Sequence, residues 1–261
     1  MRSIGFVLAA LLALAPSTSL ARPKAKKTAA PTEVQFLGKD PHGPLAVVKD
    51  KVVATPKESA CRTWAPANSL WNTVDQLGRV VGRARVTGME RYDVTNCDEL
   101  VLETTSGRDG AGIFVRGDYV AMDLKAAKLT EKASKDLEEL VKKRDKVVAR
   151  GDNKEKDAPL SKRLITWTMP SGETFAVAGG RAVTVFRLDK GTWTVIHEIL
   201  PGKDIAGTVF TPLSVLDMNG DGRPEMVIHE AGIDAYSDFT LTPNERGGFK
   251  SVEAGIHGAF A

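Results

Sequence analysis

Asp217-Met218-Asn219-Gly220-Asp221-Gly222-Arg223-Pro224-Glu225, followed by the apolar run Met226-Val227-Ile228, is the stretch on which the reading of this chain turns. Oxygen-bearing side chains stand at alternate positions, at Asp217, Asn219, Asp221 and Glu225, and the Arg223 carbonyl completes the series. Gly220 and Gly222 permit the positive φ angles that bend a backbone round an ion. Three carboxylates and an amide suit a hard cation such as Ca²⁺, which takes about 6–8 oxygens. The loop holds no His or Cys, which speaks against zinc, and Mg²⁺ would demand a tighter octahedron. The expectation is a structural Ca²⁺ on Asp217, Asn219, Asp221, Arg223 (by its carbonyl) and Glu225, stiffening the loop rather than catalysing. The competing reading is a polar strand connection that binds nothing.

An EF-hand needs a bidentate Glu at the twelfth position and a helix beyond it. Here the twelfth position is Ile228, inside an apolar run, and Pro224 blocks a helix. The loop therefore leads into a strand. With the apolar residues before it, the stretch 213–228 resembles one repeat of the FG-GAP and VCBS families, whose Asp-x-Asn-x-Asp-Gly-x-x-Asp/Glu loops precede a strand. In those families the repeats are blades of β-propellers and the loop holds Ca²⁺ between strands. The resemblance implies the same roles for Asp217, Asn219, Asp221, Arg223 and Glu225. It is local: Tyr92-Asp93-Val94-Thr95-Asn96-Cys97-Asp98-Glu99 has the acids but no glycine.

Outward from the loop the signals are mostly strand-like. Residues 45–54, 79–86, 99–103, 113–122, 163–168, 175–178, 182–188, 193–200, 209–215, 226–229, 239–242 and 248–252 are short and rich in Val or aromatics, with Gly, Asp or Asn between them. Gly117-Asp118, Asp189-Lys190-Gly191 and Arg246-Gly247-Gly248 read as hairpin turns. One segment differs. Residues 130–150 carry Ala133, Leu137, Leu140, Val141, Val147 and Val148 at helical spacing, with Thr130 as the N-cap and Gly151 as the stop. The expected fold class is mainly β, in antiparallel propeller-like sheet units, with one inserted amphipathic helix. Asp98–Glu103, Gly172–Val177 and Pro224–Glu230 echo one another, so a β unit used about three times is one reading. Chance likeness among short Val-rich strands is the other.

The N-terminus sets the compartment. Met1-Arg2, an apolar run over 4–15 and small residues up to Ala21 predict a signal peptide cleaved after Ala21. The run is shorter than the roughly 20 residues of a spanning helix, and no later segment is long and apolar enough to span. A secreted or periplasmic location follows. The formal charge is +3, but of 36 basic residues five fall within residues 1–27 and of 33 acidic residues none does, leaving 31 against 33. The basic character belongs to a tail, so no nucleic-acid partner is expected. Cys61 and Cys97, 36 residues apart, are expected to form a disulfide in an oxidising compartment, closing a loop worth roughly 3–4 kcal/mol. The expected organisation is a signal peptide over 1–21, a flexible basic linker over 22–44, and a β module with the disulfide over 45–128. A helix and charged loop over 129–157 and a β module with the cation loop over 158–261 complete it.

No catalytic motif stands out. The histidines His42, His197, His229 and His257 form no HExxH, and no Gly-x-Ser-x-Gly elbow occurs. His229 with Asp234 and Asp238 is one candidate polar site. Arg116-Gly117-Asp118 reads as turn chemistry rather than an adhesion motif. Trp64 and Trp71 read as core residues rather than sugar platforms. The functional expectation is a Ca²⁺-stabilised binding or scaffold module of the cell envelope, non-enzymatic, whose partner is a protein or glycan at the cell surface. The alternative is an exported hydrolase, glycan-directed, with a site near Glu99, Asp234 or Asp238.

Overall fold

The computed structural model describes residues 33–39, 44–49, 52–54, 66–90, 99–148, 159–200, 208–232, 235–245, 247–253 and 258–259. The expected signal peptide, Cys61, Cys97, Trp64, His42, His257 and Asp234 lie outside the described residues. Within them the chain is mainly antiparallel β, in three sheets with one long helix.

The first sheet holds β1 (Val34–Leu37), β2 (Pro44–Lys49), β3 (Val52–Ala54), β4 (Leu70–Val74), β5 (Val80–Glu90), β6 (Glu99–Gly107) and β7 (Ile113–Arg116), in the order β3-β2-β1-β7-β4-β5-β6. The second holds β8 (Lys125–Ala126), β9 (Leu164–Thr168), β10 (Thr174–Ala178), β11 (Val183–Asp189) and β12 (Thr192–Ile199), in the order β12-β11-β10-β9-β8. The third holds β13 (Val209–Leu216), β14 (Glu225–Ala231), β15 (Ala235–Pro243), β16 (Phe249–Glu253) and β17 (Gly258–Ala259). It runs β13-β14-β15-β16, with β17 also on β15. β9–β12 and β13–β16 are consecutive meanders, which is the sense in which they are propeller-like. The first sheet is not, because β1 and β4 both pair with β7.

The alternation of side chains along each strand shows how the layers stack. On β14, Met226 and Ile228 join a core with Ile165, Val177 and Val185 of the second sheet. Val227 between them joins Phe36, Val48 and Val115 of the first sheet. The third sheet is thus the middle layer, buried on both faces, which is why β14 reads as a continuous apolar run. On β10, Val177 faces inward while Ala176 and Ala178 pack with Leu137 and Val141 of α1 (Glu131–Val148). The layers run first sheet, third sheet, second sheet, helix.

The helix follows its pattern closely. Thr130 Oγ1 accepts the Ala133 N–H at 3.2 Å, satisfying an orphan donor of the first turn. Trp193 Nε1 donates to the Ala133 carbonyl at 2.8 Å. Arg163, buried, pairs with Asp145 at 2.8 Å and donates to the Gly179 carbonyl at 2.7 Å, pinning the helix to the second sheet.

Four expectations are corrected. β1 falls inside the stretch read as linker, and its Phe36 and Leu37 are fully buried. β4 carries Trp71 into a core with Leu37, Val86 and Leu100, yet its Leu-Trp-Asn-Thr-Val alternation is too short to announce itself. The run 45–54 is two strands rather than one. The run 113–122 stops at Arg116: Gly117 takes φ +102, and no partner strand follows it, so Gly117-Asp118 is not a hairpin.

Candidate metal centre

The loop between β13 and β14 leaves the end of the middle layer, with Asp217 and Glu225 both buried. It is not helical. Gly220 and Gly222 adopt φ +69 and +83, as a loop turning on itself requires.

The backbone wraps round the Asp217 carboxylate. Asp217 Oδ1 and Asn219 Oδ1 both accept the Asp221 N–H, at 3.1 and 3.0 Å. Asp217 Oδ2 accepts the Gly222 N–H at 2.8 Å, and Asp221 Oδ1 accepts the Arg223 N–H at 2.8 Å. Asn219 Nδ2 donates to Asp221 Oδ2 at 3.3 Å. Three of the five expected positions are therefore one bonded set. Glu225 reaches back across the loop instead, where its Oε2 accepts the Met218 N–H at 2.9 Å. Arg223 is tied by its side chain, Nη2 donating to the Asn244 carbonyl at 2.6 Å. Among the described residues no three His, Cys, Asp or Glu side chains gather as an ion-holding group. The donors that do gather are two carboxylates and an amide.

The electrostatics are those of a site short of positive charge. Burial pushes the Glu225 carboxyl up to about 7; N–H bonds from Met218 and its own backbone oppose this, and Asp217 and Asp221 add to it. Among the described residues neither Asp217 nor Glu225 pairs with a lysine or arginine. Each carboxylate has about four lone-pair sites, and Asp217 spends two on N–H groups. A cation would take the remainder and offset the burial of negative charge. The donor chemistry of the loop fits Ca²⁺ on this ground.

Two residues that no local motif marks complete the surroundings. Tyr119, beyond β7, donates from its hydroxyl to the Gly78 carbonyl at 2.8 Å. Burial raises its phenol's pKa, and the charges of Asp217, Asp75 and Glu225 raise it further. Asp75 opens the β4–β5 turn, where its Oδ1 accepts the N–H groups of Leu77 and Arg79. That turn covers the free edge of β13: the Val215 N–H donates to the Gln76 carbonyl and Ser214 Oγ to the Asp75 carbonyl. Their spacing in sequence gave no signal, since 139 residues separate Asp75 from Ser214.

Of the second candidate, His229 and Asp238 come together: His229 Nδ1 lies 2.8 Å from Asp238 Oδ1, with His229 buried and Asp238 half-buried. Asp238 Oδ2 also accepts the Lys39 N–H at 2.7 Å, beyond β1. A Cβ at Gly38 would collide with this carboxylate, so the pair serves to fasten the end of β1 to the middle sheet. Trp71 is buried, as expected of a core residue. Among the described residues no helix is long and apolar enough to cross a membrane.

Comparisons with protein-family models, with curated proteins and with solved structures found no match.

Proposed function

We propose that the chain is an exported binding or scaffold module of the cell envelope, non-enzymatic, in which Ca²⁺ on the Asp217–Glu225 loop fixes one end of the middle sheet. The likeness of residues 213–228 to FG-GAP and VCBS repeats and the N-terminal signal-peptide pattern motivate the reading. Its chief support is the loop wound round a buried Asp217 carboxylate with no lysine or arginine among the described residues to neutralise it. Asp217, Asn219, Asp221, the Arg223 carbonyl and Glu225 are the residues that would hold the ion. Bound Ca²⁺ supplies positive charge and geometric constraint; the chain's residues supply oxygens and the wall that the loop builds.

The test is thermal melting and calorimetry of the purified chain. Ca²⁺ should raise the melting temperature and a chelator should lower it, with about 2.7 kcal/mol gained at a hundredfold excess over Kd. Asp221→Asn should weaken the response. A melting curve indifferent to both Ca²⁺ and chelator would sink the cation. The alternative, an exported hydrolase, draws on the His229–Asp238 pair, a positioned imidazole with an orienting carboxylate. Glycan hydrolysis lost in His229→Gln with an unchanged melting temperature would favour it.

A further inference from the structure

A cavity of about 350 Å³ opens beside the Gly222–Pro224 segment, where the β9–β10 hairpin of the second sheet faces the turns of the middle sheet. Its floor is apolar. Trp167 and Phe175 stack at 5.6 Å with planes 21° apart, and Met169, Ile196 and Phe249 complete the lining. Trp167 is 1% exposed, and its indole Nε1–H is buried with no hydrogen-bond partner. A buried donor left unpaired costs about 1–3 kcal/mol, and with no exposed surface it belongs to the closed floor rather than to the ligand's contacts.

The rim is charged and mainly positive. Arg187 and Arg223 both line the cavity and are exposed, against the single carboxylate of Glu173. Arg187 makes no ion pair among the described residues. Arg223 is held in place by the Asn244 carbonyl and keeps further N–H donors for another acceptor. The volume is at the small end of ligand cavities, too small for a folded partner. A floor of apolar and aromatic side chains also offers a glycan too few polar contacts.

We propose that this cavity binds a small amphiphile: an apolar acyl or aryl body on the Trp167–Phe175 floor, carrying one carboxylate-type anion that meets Arg187 and Arg223. This deepens the reading of the chain as a binding module. It rests on that reading where the cation loop supplies the Gly222–Pro224 wall.

The experiment titrates the purified full chain with the anionic fluorophore 1-anilinonaphthalene-8-sulfonate, with Ca²⁺ and with chelator. Saturable binding at one site is expected, displaced by decanoate but not by decyltrimethylammonium or decyl maltoside. Arg187→Glu should weaken it about tenfold or more, because it reverses the charge that meets the anion. Arg187→Lys should keep most of the affinity, and Phe175→Ala should weaken binding of both fluorophore and decanoate. The absence of saturable binding, equal displacement by the cationic or neutral amphiphile, or an Arg187→Glu chain that binds as tightly would each overturn the proposal. A melting shift with Ca²⁺ but no fluorophore binding keeps the cation and removes the cleft. Binding that is sensitive to Arg187→Glu yet identical with chelator keeps the cleft and removes the cation from its wall.

Discussion

His197 on β12 shows what a single side chain can hide. Its Nε2 is buried without a partner, and its ring meets Phe249 edge-on at 5.9 Å. Burial lowers its pKa from the ordinary 6.5, and among the described residues no carboxylate pairs with it to oppose the shift. The folded chain therefore favours the neutral ring, while the unfolded chain takes up a proton near 6.5. Stability from this residue is complete above that pH and is lost as the pH falls through it toward the depressed folded value. His197→Phe should remove the effect. Its melting temperature relative to the parent should rise progressively from about pH 7 to about pH 5; parallel curves would refute the assignment. The histidine is visible in the sequence, but its burial is not. The residues of the Asp217–Glu225 loop were legible because they stand at alternate positions of one short stretch of the chain.

At the scale of turns, two glycines with nearly the same backbone separate conformation from packing. Gly191, in the β11–β12 hairpin, has φ +82 and open space where a Cβ would stand. Gly78, in the β4–β5 turn, has φ +70, but a Cβ there would lie 2.7 Å from both Leu216 Cβ and Tyr119 Oη. Gly191→Ala should cost about 1–2 kcal/mol, the left-handed penalty alone. Gly78→Ala should cost about 1–3 kcal/mol more, because the edge of the middle sheet must shift. Denaturant midpoints of the two variants measure the difference, and equal losses would mean that the turn does not press on β13. The Asp189-Lys190-Gly191 turn was readable locally. Nothing near Gly78 announced that its turn closes a sheet formed more than a hundred residues later.

For the whole molecule, the middle sheet decides how unfolding proceeds. Met226 and Ile228 face the second sheet and Val227 the first, so each outer layer loses the core it shares with the middle sheet once that sheet opens. Cooperative loss of all three layers is the expected outcome. Trp71 reports on the first sheet, and Trp167 and Trp193 on the second. With Trp64 changed to Phe in both, a Trp71→Phe chain and a chain with Trp167 and Trp193 changed to Phe should each melt in one transition that coincides with far-UV circular dichroism. Ile228→Ala should shift every probe together, by about 2–5 kcal/mol. Separate transitions for the two reporters would show that the layers are independent.

The sequence by itself determined most strands of the second and third sheets, the helix at Glu131–Val148 and the composition of the Asp217–Glu225 loop. Each depends on neighbours within a few residues, through side-chain alternation, helical spacing and glycine's freedom at positive φ. Only the tertiary structure decided that β13–β16 form the middle layer, that the turn opening at Asp75 closes on β13, and that Trp167, Arg187 and Arg223 line one cavity. Those contacts join residues far apart in the chain. What fixes them is the burial of both faces of one sheet, a condition that no local run of residues records.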